Sequence, residues 1–309
     1  MSATIPLSTP APSALGVVRP AGDLLLEARG QERAGCMPEA VSTYEAAITA
    51  AERAGEVKVL AEALRRLAVV RHNQGDSSVG RELVRRSHSV ARADGNALLA
   101  AEALNTLGGI ELQAGELEAA RAALSQALVE GGQFQALRAR VQQHLGIIAN
   151  IQGDMDAALS HYSGSLESYQ GANDEHGCAI AYHNLGMISA DRDLLPDADR
   201  YFTQSYDIAH RAGDVSLQGL CLVNHADVDI QRQMFEEARR KAEAALVLFD
   251  QLGDRGSKST AYRVIGMVYR ETGKAPLAES RLKSSIELAS TVGYVLSEAE
   301  STRELAILY

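Results

Sequence analysis

Tryptophan is absent from the 309 residues and phenylalanine occurs four times, so aromatic residues make up 5% of a chain that is 46% hydrophobic. Its core must be built from Ala, Leu, Val and Ile, a composition that suits helices packed at close range. The three cysteines, Cys36, Cys178 and Cys221, lie far apart with no CxxC pair. That usage predicts a reduced, cytoplasmic compartment. An excess of basic residues is also missing. The net charge of -10 and pI near 5.3 argue against a nucleic-acid partner, which needs a clustered basic face. No stretch approaches the ~18 apolar residues of a membrane span, so no membrane partner is expected. The N-terminus, MSATIPLSTPAPSALGVVRPAGD, lacks the charged leader and apolar block of a secretory signal. Proline is rare beyond that segment, which holds Pro6, Pro10, Pro12 and Pro20 and leaves Pro38, Pro196 and Pro276 for the rest.

What the chain does contain is repetition. Ala or Gly recurs at Ala28, Ala68, Gly108, Gly146, Gly186, Ala226, Gly266 and Ala306, every 40 residues except for one step of 38. A second series interleaves with it: Ala40, Gly80, Ala120, Ala158, Ala198, Ala238 and Ala278. Two locked series mean one structural unit copied about seven times.

The third unit shows the plan. Ala103, Leu104, Leu107, Ile110 and Leu112 follow helical spacing, Gly115 breaks it, and Leu117, Ala120, Leu124 and Leu128 mark a second helix. Equivalent breaks stand at Gly35, Gly75, Gly153 and Gly273, and between units at Gly55, Gly95, Gly213, Gly253 and Gly293. Pro38, Pro196 and Pro276 each precede a residue of the second series by two, in the first turn of a second helix, where a missing N–H is harmless. The small residues are expected where the two backbones approach most closely.

The fold class is therefore all-α. Residues 1–20 read as a disordered Pro/Ser/Ala-rich tail. Residues 21–309 read as helix pairs over 21–57, 58–97, 98–134, 135–175, 176–215, 216–255 and 256–294, with a single terminal helix over 295–309.

The pattern Leu107-Gly108 with Ala120 and Ala127, or Leu185-Gly186 with Ala198 and Phe202, resembles the tetratricopeptide repeat family. The departures are a missing Trp, few Tyr on the first helix, and a unit of 40 residues rather than 34. Glu27 and His225 stand where the family has Leu. The resemblance implies a right-handed superhelical solenoid of about seven antiparallel helix pairs plus a final single helix, with the first helices lining a concave groove. Its ligand-facing positions fall here on Arg65, Arg66 and His72, then Asn105, then Arg140, Gln143, His144 and Asn150. His183, Asn184, Asn224, Asp227, Arg263 and Arg270 complete the set. Asn184 and Asn224 match the position whose amide holds a peptide backbone by paired donor and acceptor contacts. Flanking Arg and His could take a carboxylate.

Catalytic motifs fail. Gly253-Asp-Arg-Gly-Ser-Lys258-Ser-Thr260 departs from a phosphate loop, because Ser257 separates Gly256 from Lys258 and no strand precedes it. Cys221 and His225 sit four apart, as a metal pair could, but His225 occupies a packing position and no second pair stands beside it. The spacing of Cys178 and His183 turns their side chains apart. No HExxH or GxSxG occurs.

The expectation is thus a non-enzymatic scaffold, without cofactor or metal, that binds a partner peptide or helix in its groove. The alternative is the regulatory or sensor region of a larger bacterial signalling protein, with an output domain beyond residue 309 such as an HD-GYP-type phosphodiesterase or a transcription regulator. The apolar end at Ile307-Leu308-Tyr309 also suggests continuation of the chain or self-association through the last helix.

Overall fold

A computed structural model describes residues 19–309; most of the expected tail, residues 1–18, lies outside them. Fifteen helices and no strand occur among the described residues: α1 (Ala21–Arg33), α2 (Met37–Ala54), α3 (Val57–Asn73), α4 (Ser77–Ala93), α5 (Ala97–Gln113), α6 (Leu117–Gly131), α7 (Gln135–Ile151), α8 (Met155–Gly171), α9 (Glu175–Asp191), α10 (Leu195–Ala212), α11 (Val215–Gln231), α12 (Phe235–Leu252), α13 (Arg255–Glu271), α14 (Ala275–Val292) and α15 (Val295–Leu308). Odd-numbered helices are first helices and even-numbered ones second helices. The chain forms two compact units, one ending at Thr106 and the other Leu107–Tyr309. The division falls inside α5, in the hairpin whose second helix is two to three residues shorter than its counterparts.

Local chemistry sets the helix ends. Gly55 stops α2 at φ 69°, a left-handed backbone that costs glycine little, and the Glu56 N–H then donates to the Ala51 carbonyl at 2.9 Å. Where a turn lacks glycine, Asn173 between hairpins and Asp193 and Gln233 within hairpins adopt positive φ instead. Asp154, Asp174, Asp214 and Asp254 cap α8, α9, α11 and α13, each carboxylate accepting an N–H of the first turn at 2.8–3.0 Å. The phosphate-loop lookalike is therefore a helix stop, Gly253, followed by a helix cap, Asp254. Pro38, Pro196 and Pro276 occupy first turns, where no intrahelical bond is lost.

Packing within the hairpins corrects the reason for the small residues. At Gly80 the backbones do approach, since a Cβ there would stand 2.9 Å from the Ala68 carbonyl oxygen. At Gly108, Gly146, Gly186 and Gly266 the nearest neighbour is a bulky side chain of the second helix. A Cβ would lie 2.6–2.7 Å from Leu124, Tyr162, Phe202 and Leu282 respectively. The sixth hairpin moves the pairing by two turns: Ala226 and Ala242 are both small there, and Phe249, seven residues after Ala242, fills the space over Gly219, seven residues before Ala226. Each hairpin thus places its large residue over a hole on the opposite helix. A buried serine recurs as well. Ser87, Ser165, Ser205 and Ser285 donate across their hairpins to the carbonyls of Ala61, Ala139, Ala179 and Ser259 at 2.6–2.9 Å.

Candidate functional site

In the unit Leu107–Tyr309, first helices α7, α9, α11, α13 and α15 touch in succession, whereas second helices α8, α10, α12 and α14 do not touch one another. The first helices therefore form the tighter, inner layer of this unit. Most of the side chains singled out from the sequence lie on first helices.

At the centre, His183 is 9% exposed, and its ring meets Phe202 edge-on at 5.8 Å. The Asn224 amide donates to His183 Nε2 at 2.9 Å. Burial pushes the His183 pKa down to about 4, so the ring is neutral near pH 7 and can accept that bond. Asn224, one of the two amides matched to peptide backbone, is therefore engaged within the protein. The Asn184 side chain also acts on the His183 ring, raising its pKa against the effect of burial, yet its Nδ2 is buried and has no hydrogen-bond partner among the described residues. On α11, Asp227 presents Oδ2 to Arg263 at 3.3 Å, while its Oδ1 is buried without a partner. Burial raises the Asp227 pKa more than Arg263 lowers it. Among these positions, hydrogen-bonding capacity is thus left open at the Asn184 amide donor, the Asp227 carboxylate acceptor and the Nε of Arg66 and of Arg263.

The arginines differ from expectation. Arg263 bridges Asp227 and, at 3.5 Å, Glu300 on α15; Arg270 pairs with Glu304 and with Glu271. In the unit ending at Thr106, Arg65 lies 3.3 Å from Glu102 and Arg66 lies 3.9 Å from Glu32. These side chains already hold carboxylates of neighbouring first helices. Their partners Glu32, Glu102, Glu300 and Glu304 lie on first helices and were not among the residues singled out from the sequence. The available signal was an acid 33–37 residues from an arginine, as in Arg29–Glu62, Arg65–Glu102, Asp227–Arg263 and Arg263–Glu300.

The remaining positions are scattered. His72 Nδ1 lies 2.9 Å from Ser77 Oγ at the turn after α3, and Asn105 is buried in α5. Gln143 accepts from Tyr169 at 3.2 Å. His144 is held below the ordinary histidine pKa by burial, with Arg140 adding to the effect. Asn150 sits in the last turn of α7.

The Cys221/His225 pair also resolves differently. Cys221 donates to Ser205 Oγ at 3.0 Å, and burial pushes its thiol up to about 12. His225 instead joins Asp199 at 2.6 Å, with Asp229 close enough that the three could share a cation. Arg232 stands 3.3 Å from Asp199 and Lys241 stands 2.7 Å from Asp229. Two cations thus already balance the two carboxylates, and the cluster reads as an ion-pair network joining α10, α11 and α12. All three cysteines are free. No helix among the described residues is long and apolar enough to cross a membrane.

Comparison with known proteins bears on this architecture. A family model described as tetratricopeptide repeat matches residues 137–210 and 220–291. A TPR repeat-containing protein of Synechococcus elongatus is 35% identical over 106 residues, which cover 34% of this chain and 24% of that protein. The chain thus matches about a quarter of the length of that curated relative. Among solved structures, a signal transduction ATPase with a tetratricopeptide repeat sensor from Pyrococcus horikoshii is 17% identical, covering 92% of this chain and 43% of that one at a TM-score of 0.68. The apo form of RapI is 14% identical, covering 89% and 99% at 0.66. A Rap protein complexed with competence and sporulation factor is 15% identical, covering 82% and 76% at 0.59. At these identities the structural likeness shows the fold, an all-α solenoid of helix hairpins.

Proposed function

From the premise that this chain is a tetratricopeptide repeat protein, we propose that it is a non-catalytic scaffold whose inner face, in the unit Leu107–Tyr309, holds a segment of a partner protein. The carrying observation is the Asn184 amide, buried with its donor unpartnered. An unmet buried donor costs about 1–3 kcal/mol, a cost that a ligand carbonyl placed against it would remove. Asp227 Oδ1 offers the complementary acceptor for a ligand N–H. Extended backbone carries both groups. A ligand carboxylate is the weaker candidate, because the inner arginines already have acidic partners. The Rap protein complexed with competence and sporulation factor gives a precedent for a ligand on this fold.

The test is a peptide-library selection on the wild-type protein, followed by calorimetric titration of the enriched peptide. Asn184→Ala, alone and with Asn224→Ala, is expected to weaken binding at least tenfold while circular dichroism and melting stay near wild type. Glu237→Leu on the outer layer should leave affinity unchanged. Equal affinity for all these proteins would overturn the assignment. A second reading, a sensor region within a larger signalling protein, draws on the tetratricopeptide sensor of the Pyrococcus ATPase, whose chain this one covers to 43%. It uses the same inner face.

A further inference from the structure

Acids outnumber cations on the inner face. Up to Thr106 the basic and acidic residues are equal in number, so the whole net charge of -10 falls on the unit Leu107–Tyr309. In that unit each arginine of the α13 inner face is shared by two acids: Arg263 by Asp227 and Glu300, Arg270 by Glu271 and Glu304. Arg303 also reaches Glu304, but its side chain is 71% exposed. Sharing leaves Asp227 Oδ1 buried without a partner. Asp191, the last residue of α9, has no ion pair or hydrogen bond on its carboxylate among the described residues. Solvent reaches it, yet partial burial raises its pKa, and the carbonyl end of a helix disfavours a negative charge.

We propose that the segment bound on this face carries a lysine or arginine whose charged end sits between Asp191 and Asp227. The inference rests on the reading of the inner face as a peptide site and names the chemistry of its ligand. Asn184, Met187 and Asp191, at i, i+3 and i+7 of α9, share one face of that helix. The bond between His183 and Asn224 joins α9 to α11. One turn further along the two helices come Met187 and Asp227, which hold the same place in successive repeats, 40 residues apart. Asp227 therefore lies beside the α9 face, about one turn short of Asp191. Met187 is 39% exposed and gives the stem of a long basic side chain an apolar floor. The charged end donates to Asp227 Oδ1 and to Asp191, a stronger bond than a neutral N–H makes. The Asn184 amide, about 10 Å before Asp191 along α9, takes a backbone carbonyl about three extended residues away. A metal ion fits less well, because neither carboxylate belongs to a cluster of three ligating side chains among the described residues. An acidic segment would meet charge of its own sign.

The test repeats the random-peptide selection on wild type, Asp191→Asn, Asp191→Asn/Asp227→Asn and Asn184→Ala. Lys or Arg is expected at one position of the wild-type peptides about threefold or more above the starting library. The double variant should still select peptides and should lose that preference. In titrations of a selected peptide, replacing its basic residue by methionine should weaken binding to wild type about tenfold or more, and to the double variant less than about twofold. Should circular dichroism show the double variant unfolded, Asp191→Asn, which breaks no ion pair or hydrogen bond, takes its place: the methionine effect should shrink about threefold or more. Peptides selected without a basic preference, or a methionine effect that the Asp variants leave unchanged, would overturn this inference and leave the peptide-site reading standing. Selection of no peptide by wild type over Asn184→Ala would overturn both.

Discussion

The ring of Tyr162 occupies the space that a side chain on Gly146 would need: its Cε1 lies 2.6 Å from where a Cβ would stand. Tyr162 is 4% exposed, packed in the core with Leu185 and Ile188, and has no room to withdraw. Gly146→Ala should therefore destabilise the protein by about 1–3 kcal/mol, although alanine favours a helix over glycine by about 1 kcal/mol. In a Tyr162→Ala background the clash is gone and the same substitution should become neutral or stabilising, as the natural pair Ala226 and Ala242 implies. Thermal melting of the four proteins in this cycle checks it. The idea fails if the effect of Gly146→Ala is the same in both backgrounds. Glu237→Leu, on the outer layer, should stay within about 0.5 kcal/mol of wild type.

Gln233 holds φ 61° at the turn between α11 and α12, where five other hairpins use glycine (Gly35, Gly75, Gly115, Gly153 and Gly273). A side chain in that region costs about 1–2 kcal/mol, and glycine gives back about 0.4–1 kcal/mol through its freer unfolded state. Gln233→Gly should raise the stability by roughly 0.5 kcal/mol, and Gly273→Gln, at φ 71°, should lower it by a similar or larger amount. Urea midpoints measured on both variants decide the matter.

Ser165 donates to the Ala139 carbonyl at 2.9 Å inside the fourth hairpin. Ser165→Ala removes one hydrogen bond and leaves no unpaired side-chain group behind, so a loss of about 1 kcal/mol with the fold intact is expected. Alanine already occupies the matching positions Ala47, Ala127 and Ala245, all buried. A loss above about 3 kcal/mol would show that the serine does more than bridge the two helices.

Acid should weaken the protein through His183. Burial holds its pKa at about 4 in the folded state, below the ordinary 6.5 that it regains on unfolding. The unfolded chain therefore binds the extra proton first. The stabilisation is complete above pH 6.5 and is lost as pH falls from there to about 4, by roughly 3 kcal/mol. His144 and His161 are shifted in the same direction by burial and add to the slope. His183→Gln should flatten the dependence of urea midpoint on pH between 7 and 4 relative to wild type. Identical slopes would show that His183 is not the group being charged.

The periodicity of small residues, glycine stops and first-turn prolines determined the hairpins, because each of these signals acts within a few residues of its own position. Gly55 ends α2 and Asp154 starts α8 whatever stands elsewhere in the chain. The identity of the inner face was legible at the same level: counting along each first helix finds His183, Asn184, Asn224 and Arg263. What these side chains do there was decided by packing between helices. Asn184 and Asn224 occupy the same place in successive units, yet Asn224 is held by His183 and Asn184 keeps an open donor. Arg263 and Arg270 look free in sequence and are paired in space, with acids that arrive from neighbouring first helices. Ala306 continues its series by every rule of spacing, yet it is exposed, since no second helix among the described residues packs over it as α14 packs over Gly266. Local backbone preference fixes where a helix begins and ends, whereas hydrogen bonds and ion pairs between repeats depend on the distance between axes, which only the packed structure sets.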